Sequence, residues 1–119
     1  MQVFSAEDIK RIDDRGAKLI ENIPNWECAV YVRRLTGGER GRVQRLINAA
    51  VAAEPGAIET LPGSLAALMI GNEKGDRIFS DNDADVLNTR DGIALDYVIS
   101  AGLTFNGIAE GSEAQAEKN

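Results

Sequence analysis

The stretch Lys18-Leu19-Ile20-Glu21-Asn22-Ile23-Pro24-Asn25-Trp26-Glu27-Cys28-Ala29-Val30-Tyr31-Val32-Arg33-Arg34-Leu35-Thr36-Gly37-Gly38-Glu39 decides the fold. Lys18 to Ile23 reads as a short strand, stopped by Pro24-Asn25, and Trp26 to Leu35 reads as a second. In the second, Trp26, Cys28, Val30 and Val32 share one face and Glu27, Ala29, Tyr31 and Arg33 the other, because side chains alternate along a strand. Two short strands around a Pro-Asn turn predict an antiparallel hairpin. Thr36-Gly37-Gly38-Glu39 then has the form of a capping box: the Thr36 hydroxyl accepts from the Glu39 amide while the Glu39 carboxylate reaches back.

Toward the C-terminus, Val43, Leu46, Ile47, Ala50 and Val51 repeat at the spacing of an amphipathic helix, predicted over 39–53 and ended by Pro55-Gly56. Residues 55–64, with Pro55, Gly56, Pro62 and Gly63, read as a loop or a broken helix. The apolar run Leu65 to Ile70 fits a helix end or a buried strand, and periodicity does not separate the two. Gly71 to Asp76 reads as a turn, with Arg77-Ile78-Phe79 pairing back on the run before it. Ser80 with Asp83 opens a short helix to about Asn88. Thr89 is the expected cap of a last helix over 90–105, where Leu95, Val98, Ile99, Gly102 and Leu103 form the stripe. Asn106-Gly107 ends it, both residues tolerating the left-handed conformation. Toward the N-terminus, Ser5 and Asp8 approximate a capping box for a short helix through Ile9 and Ile12, with Gly16 as its stop. The pattern is α+β: short antiparallel hairpins packed against two main amphipathic helices, plus a short N-terminal helix. Residues 1–109 form one domain in this reading, and residues 110–119 a polar, frayed tail. Val30 and Ile99 are expected in the core.

The 119 residues are 44% hydrophobic and 27% charged, in the range of a globular domain. The net charge is −6. Residues 1–60 carry nine basic and nine acidic side chains, and residues 61–119 four and ten, so the surplus lies in the second half. This balance argues against nucleic-acid binding, which needs Lys and Arg to displace counterions. The acids fit either plain solubility or attraction of a basic partner. Neither a signal peptide nor a membrane span is expected: the N-terminus lacks a basic segment before an apolar run, and no apolar stretch approaches the roughly 20 residues that cross a bilayer.

Catalytic chemistry is sparse. The chain has no histidine, which removes the commonest general base and metal ligand. Cys28 is the lone cysteine, so no internal disulfide is possible, and its place on the Trp26 face predicts a buried small hydrophobe. Asp81, Asp83 and Asp85 alternate as in a calcium loop, but its sixth and twelfth positions fall on Val86 and Gly92, leaving acids that favour a helix N-terminus. Asp13-Asp14 is an adjacent pair on a short helix, a poor geometry for acid–base work. Arg33, Arg34, Arg40, Arg42 and Arg45 fall within thirteen residues. They are the best candidate surface for an acidic partner, set against internal ion pairing or a solvated face.

Read in order, several segments resemble one family. The run Ile23-Pro24-Asn25-Trp26, the strand Val30-Tyr31-Val32-Arg33 and the step Leu35-Thr36-Gly37-Gly38-Glu39-Arg40 resemble the signature of the tail assembly chaperones of long-tailed bacteriophages. Ala6-Glu7-Asp8-Ile9, Ile78-Phe79-Ser80-Asp81, Leu103-Thr104-Phe105-Asn106-Gly107 and Ala116-Glu117-Lys118-Asn119 extend the likeness over nearly the whole chain. The chain departs from it at Glu27-Cys28, where glycine is common, and at the interrupted segment 55–64. The resemblance implies a non-enzymatic protein of the host bacterial cytoplasm that binds the tape measure protein and keeps it soluble. It would help recruit tail tube protein, through a frameshift-extended form, and be absent from the mature virion. No cofactor, metal, nucleic acid or membrane is expected from the composition and motifs, and a chaperone acting in many copies is compatible with weak homo-oligomers. The resemblance assigns no partner-contacting residue. The alternative class is a small connector or tail-completion subunit retained in the virion.

Overall fold

Thr36 begins the best-formed element. Its hydroxyl accepts from Glu39 N–H at 3.1 Å while the Glu39 carboxylate accepts from Thr36 N–H at 2.9 Å, so both partners of the capping box are present. In the computed structural model, which describes residues 1–108, this box opens the helix α2, Gly37–Val51. The other elements, in chain order, are α1 (Ala6–Lys10), β1 (Ala17–Ile20), β2 (Val30–Arg33), α3 (Ala57–Met69), β3 (Ile70–Gly71), α4 (Ala84–Leu87) after a 3₁₀ turn at Asp81–Asp83, and α5 (Gly92–Phe105). The fold is α+β, with one three-stranded antiparallel sheet in the order β1-β2-β3.

The hairpin exists but its turn is longer than a Pro-Asn pair. Leu19 pairs with Tyr31 and Ile20 with Val30, leaving residues 21–29 as the connection. Asn22 and Asn25 both adopt positive φ, which ends the extended backbone on either side of Ile23. Ile23 itself is buried at 2% exposure and pins the loop to the core. Because residues 26–29 lie outside a strand, alternation does not govern them, and Cys28 is exposed rather than buried.

The two main helices were expected at 39–53 and 90–105, and both occur with shifted ends. Helix α2 stops before Pro55: Ala53 takes φ 54°, and the Ala53 and Glu54 amides donate back to Ala50 and Ala49. This reverse-bonded ending satisfies the last carbonyls before any proline is needed. Val51 is left 82% exposed, outside the stripe assigned to it. Helix α5 is capped by Asp91, whose carboxylate accepts from Ala94 N–H at 2.9 Å; Thr89 donates its hydroxyl to Val86 O instead. Leu95, Val98, Ile99, Gly102 and Leu103 are all buried as the stripe predicts. At its end only Gly107 is left-handed, since Asn106 has φ −95°. Helix α1 has its Ser5–Asp8 capping box but ends at Lys10, well before Gly16, and buries no residue.

Residues 57–69 form one helix, with Pro62 inside it. A proline there removes a hydrogen bond and crowds the preceding turn. Asn88 repairs the site from outside: its Oδ1 accepts from Gly63 N–H at 2.7 Å and its Nδ2 donates to Thr60 O at 3.3 Å. The repair needs close approach, for a Cβ on Gly63 would sit 2.2 Å from Ala84 O. Leu65 to Met69 are all buried, so this helix is the centre of the core, contacting α2, α4 and α5. The apolar run ends in β3, and Arg77 pairs back on Gly71 through a single bridge across the Asn72–Asp76 turn. The polar tail expected over 110–119 lies outside the described residues.

Candidate functional site

The arginine cluster resolves into separate structural roles. Arg33, 7% exposed, donates from Nη1 to Leu68 O at 2.7 Å, from Nε to Gly75 O at 3.0 Å, and from both Nη atoms to the Glu39 carboxylate. Gly75 is left-handed, at φ 88°, and a Cβ there would sit 2.7 Å from Gly16 O, so this turn packs closely on the residue before β1. Burial works to raise the Glu39 carboxyl's pKa, but hydrogen bonds from Arg33 and Thr36 and the Arg33 charge outweigh it, and the net shift is downward. Arg34 lies over the Phe105 ring, 3.8 Å from its centroid, and donates to Phe105 O. Arg40 donates to Asn106 O, and Arg42 pairs with Asp81 at 2.7 Å. Arg45 is exposed on α2. Four of the five are therefore tied to partners on α2, α5, the 3₁₀ turn and the Gly75 turn rather than free to meet one acidic partner.

The acidic residues are likewise engaged in the fold. Asp81 accepts from Arg42 and Arg77, and those hydrogen bonds lower its pKa. Asp83 accepts from Ser80 N–H at 2.8 Å, while Asp85 is exposed. Asp13 is gripped by Arg15, whose hydrogen bonds pull it down to about 2, and Arg15 also reaches Asp76 at 2.8 Å. Among the described residues no three Asp, Glu, Cys or His side chains converge as a metal site.

One residue that sequence reasoning missed ties the whole polar region together. Asn106, 7% exposed, accepts from Leu35 N–H at 2.8 Å through Oδ1. Its Nδ2 donates to Arg33 O at 3.0 Å and to Gly102 O at 2.8 Å. The sequence pattern marks it only as a helix terminator. The available signal was its place beside the last apolar turn of α5, which brings it to the end of β2.

An apolar groove open to solvent lies at the other end of β2. Trp26 and Val30 form one wall of it, Ile70 its base, and Ile78, Phe79 and Leu87 the other wall. The cavity measures about 590 Å³ and is fringed by Glu27, Cys28 and Arg90. Its position follows from local chemistry. Asn25, left-handed, donates from Nδ2 to the Asp91 cap at 3.0 Å and fixes the loop against the start of α5. The Asn25 hydrogen bond, with those from the Ala94 and Ile93 amides, also lowers the Asp91 carboxyl's pKa. Trp26 and Phe79 are half-buried against the core, while Ile78 remains 55% exposed. The shared face of Trp26 and Val30 was legible in the sequence. The opposite wall was not, although Ile78-Phe79 stands out as an apolar pair amid acids. In comparisons with known proteins, no family model, no curated protein and no solved structure matches this chain.

Proposed function

We propose that this chain is a protein-binding assembly factor, a phage tail assembly chaperone whose Trp26–Phe79 groove takes the apolar face of a helical client. The observation that carries the reading is the groove: aromatic and aliphatic walls, open to solvent, over a floor already packed into the core. Such a trough accepts residues spaced i, i+3, i+4 and i+7 along an amphipathic helix. The ordered likeness of residues 23–40 and of the later segments to that family supplies the client, the tape measure protein. Masking its apolar stripe keeps a long helical chain soluble until tail tube protein, recruited through a frameshift-extended form, encloses it. The acidic surplus of residues 61–119 keeps the loaded complex dispersed. The chain then acts in the host cytoplasm, is released, and is missing from the virion. Among the described residues no helix is long and apolar enough to cross a membrane.

Co-expression with the tape measure protein from the same genome tests the reading. The client should be soluble and co-purify with the parent chain, and should precipitate with a Trp26→Ala variant that folds normally. A client equally soluble with and without the chain, and no co-purification, would overturn it. Recovery of the chain in purified virions would replace it with the connector class.

A further inference from the structure

A second opening lies on the far side of the sheet from β3 and shares no residue with the Trp26 groove. Strand β1 is an edge: it pairs with β2 alone. The phase of that ladder is fixed by Arg34 N–H donating to Gly16 O at 2.9 Å. Bonded pairs alternate along an antiparallel ladder, so Lys18–Val32 and Ile20–Val30 are the pairs that exchange hydrogen bonds. Ala17 and Leu19 consequently turn their N–H and C=O groups away from β2. Leu19, with Lys18, Ile20 and Glu21, lines a groove of about 620 Å³ between β1 and α5. Its apolar surface comes from Leu19, Ile93 and Tyr97, which are 44%, 63% and 43% exposed. Lys18, Glu21 and Asp96 also line it, and none of the three forms an ion pair among the described residues.

An open strand edge beside an apolar helix face is the arrangement that adds an extended peptide as a further strand. Main-chain hydrogen bonds supply affinity there, and alternate side chains supply selectivity. We propose that the β1–α5 groove takes an extended, basic segment of a partner protein as a fourth strand, its apolar side chains over Ile93 and Tyr97 and a basic one toward Glu21 and Asp96. Charge selects this occupant over two others. Residues 109–119 carry Glu110, Glu113 and Glu117 against Lys118, the wrong sign for a groove with surplus acid. A second copy brings its own net charge of −6, and Lys18 on the edge is a device that disfavours edge-to-edge pairing of like strands. The proposal does not rest on the chaperone reading, because the Trp26 groove lies elsewhere.

The test uses the whole, isotope-labelled chain and an acetylated, amidated hexapeptide of alternating valine and arginine. Titration should shift the amides of Ala17 and Leu19 most and slow their hydrogen exchange. The same peptide N-methylated at every residue should bind about tenfold more weakly or not at all, since it cannot complete the ladder in any register. Leu19→Pro removes one outward N–H and no bond to β2, and should weaken binding about tenfold. Glu21→Gln with Asp96→Asn should lessen both the affinity and its salt dependence. Equal binding of the N-methylated peptide would overturn the proposal, as would shifts confined to the Trp26 groove. So would edge amides that become protected in the protein alone as its concentration rises, since that outcome assigns the edge to a second copy.

Discussion

At its C-terminal end β2 delivers Arg33 into a region where carbonyls, a carboxylate and the Asn106 amide meet all of its polar demands. At its N-terminal end, three residues earlier, it delivers Val30 into a groove whose apolar walls face solvent. Among the described residues no buried side-chain nitrogen or oxygen lacks a partner, so the first region is closed. Buried polar groups of this kind rigidify a fold when fully satisfied and destabilise it sharply when one member is removed. Exposed apolar walls behave in the opposite way: truncating them costs the fold little and costs association a great deal. Cationic side chains cluster at one end of the strand, yet most of them are engaged with partners inside the fold there.

Arg33→Ala should give the largest effect. It leaves the Glu39 carboxylate half-buried without its cation and strips donors from Leu68 O and Gly75 O, a loss of about 3–5 kcal/mol. Urea denaturation should place its midpoint below that of every groove variant. A midpoint within experimental scatter of the parent would mean that the region is no more cohesive than the groove. Ile99→Asp belongs in the same range, because it buries an unpaired charge in the α5 stripe. Val30→Asp should be milder, for Val30 is only half-buried and its charge can turn toward the groove.

Two asparagines come next, and they separate tertiary ties from local repair. Asn106→Ala orphans the Leu35 amide and removes a donor from Arg33 O, at about 2 kcal/mol. Asn88→Ala orphans the Gly63 amide beside Pro62, at about 1–2 kcal/mol, and should speed hydrogen exchange in residues 57–63 before the rest of α3. Uniform exchange along α3 would show that the proline turn needs no outside acceptor.

Those two residues also mark where the sequence ceased to be legible. Hydrophobic stripes and capping boxes are local, and they located α2, α5, the hairpin and the Ser80 turn to within a few residues. Pro62 read as an interruption because the acceptor that rescues its turn lies 25 residues away on another element. Asn106 read as a cap because its partners on β2 lie more than 70 residues away. Extending strand alternation back through the bend at Glu27-Cys28, which lies outside β2, puts Cys28 in the core, whereas it is exposed. Half of the candidate groove suffered the same limit: Trp26 and Val30 share a strand-like face, but Ile78, Phe79 and Leu87 join them only through the path of the chain after β3.

Acid exposes the closed region more gently. The folded Glu39 carboxyl lies below its ordinary value of 4.5, so its contribution is complete above that value and is lost as pH falls through the lower folded one. Stability should therefore decline as pH falls below the ordinary glutamate value of 4.5, and Glu39→Gln should flatten part of that decline while lowering stability at neutral pH. An unchanged acid limb would mean that the Arg33–Glu39 pair is not what acid breaks.

The smallest effect on stability should accompany the largest effect on function. Ile78 is 55% exposed at the lip of the groove, so Ile78→Ser should shift the unfolding free energy by no more than about 0.5 kcal/mol. Its methyl groups nonetheless line the groove where, on the proposed reading, a client helix would bury them, and apolar area newly buried on association contributes there and not to the fold. If the proposed chaperone reading holds, retention of the tape measure protein by immobilised chain should fall about tenfold. Arg45→Ser, an equally exposed change on α2, should leave both stability and retention unchanged. Should Ile78→Ser retain its client while Arg45→Ser releases it, the contrast between the two ends of β2 would stand as a fact about stability, and the binding face would have to be sought on α2.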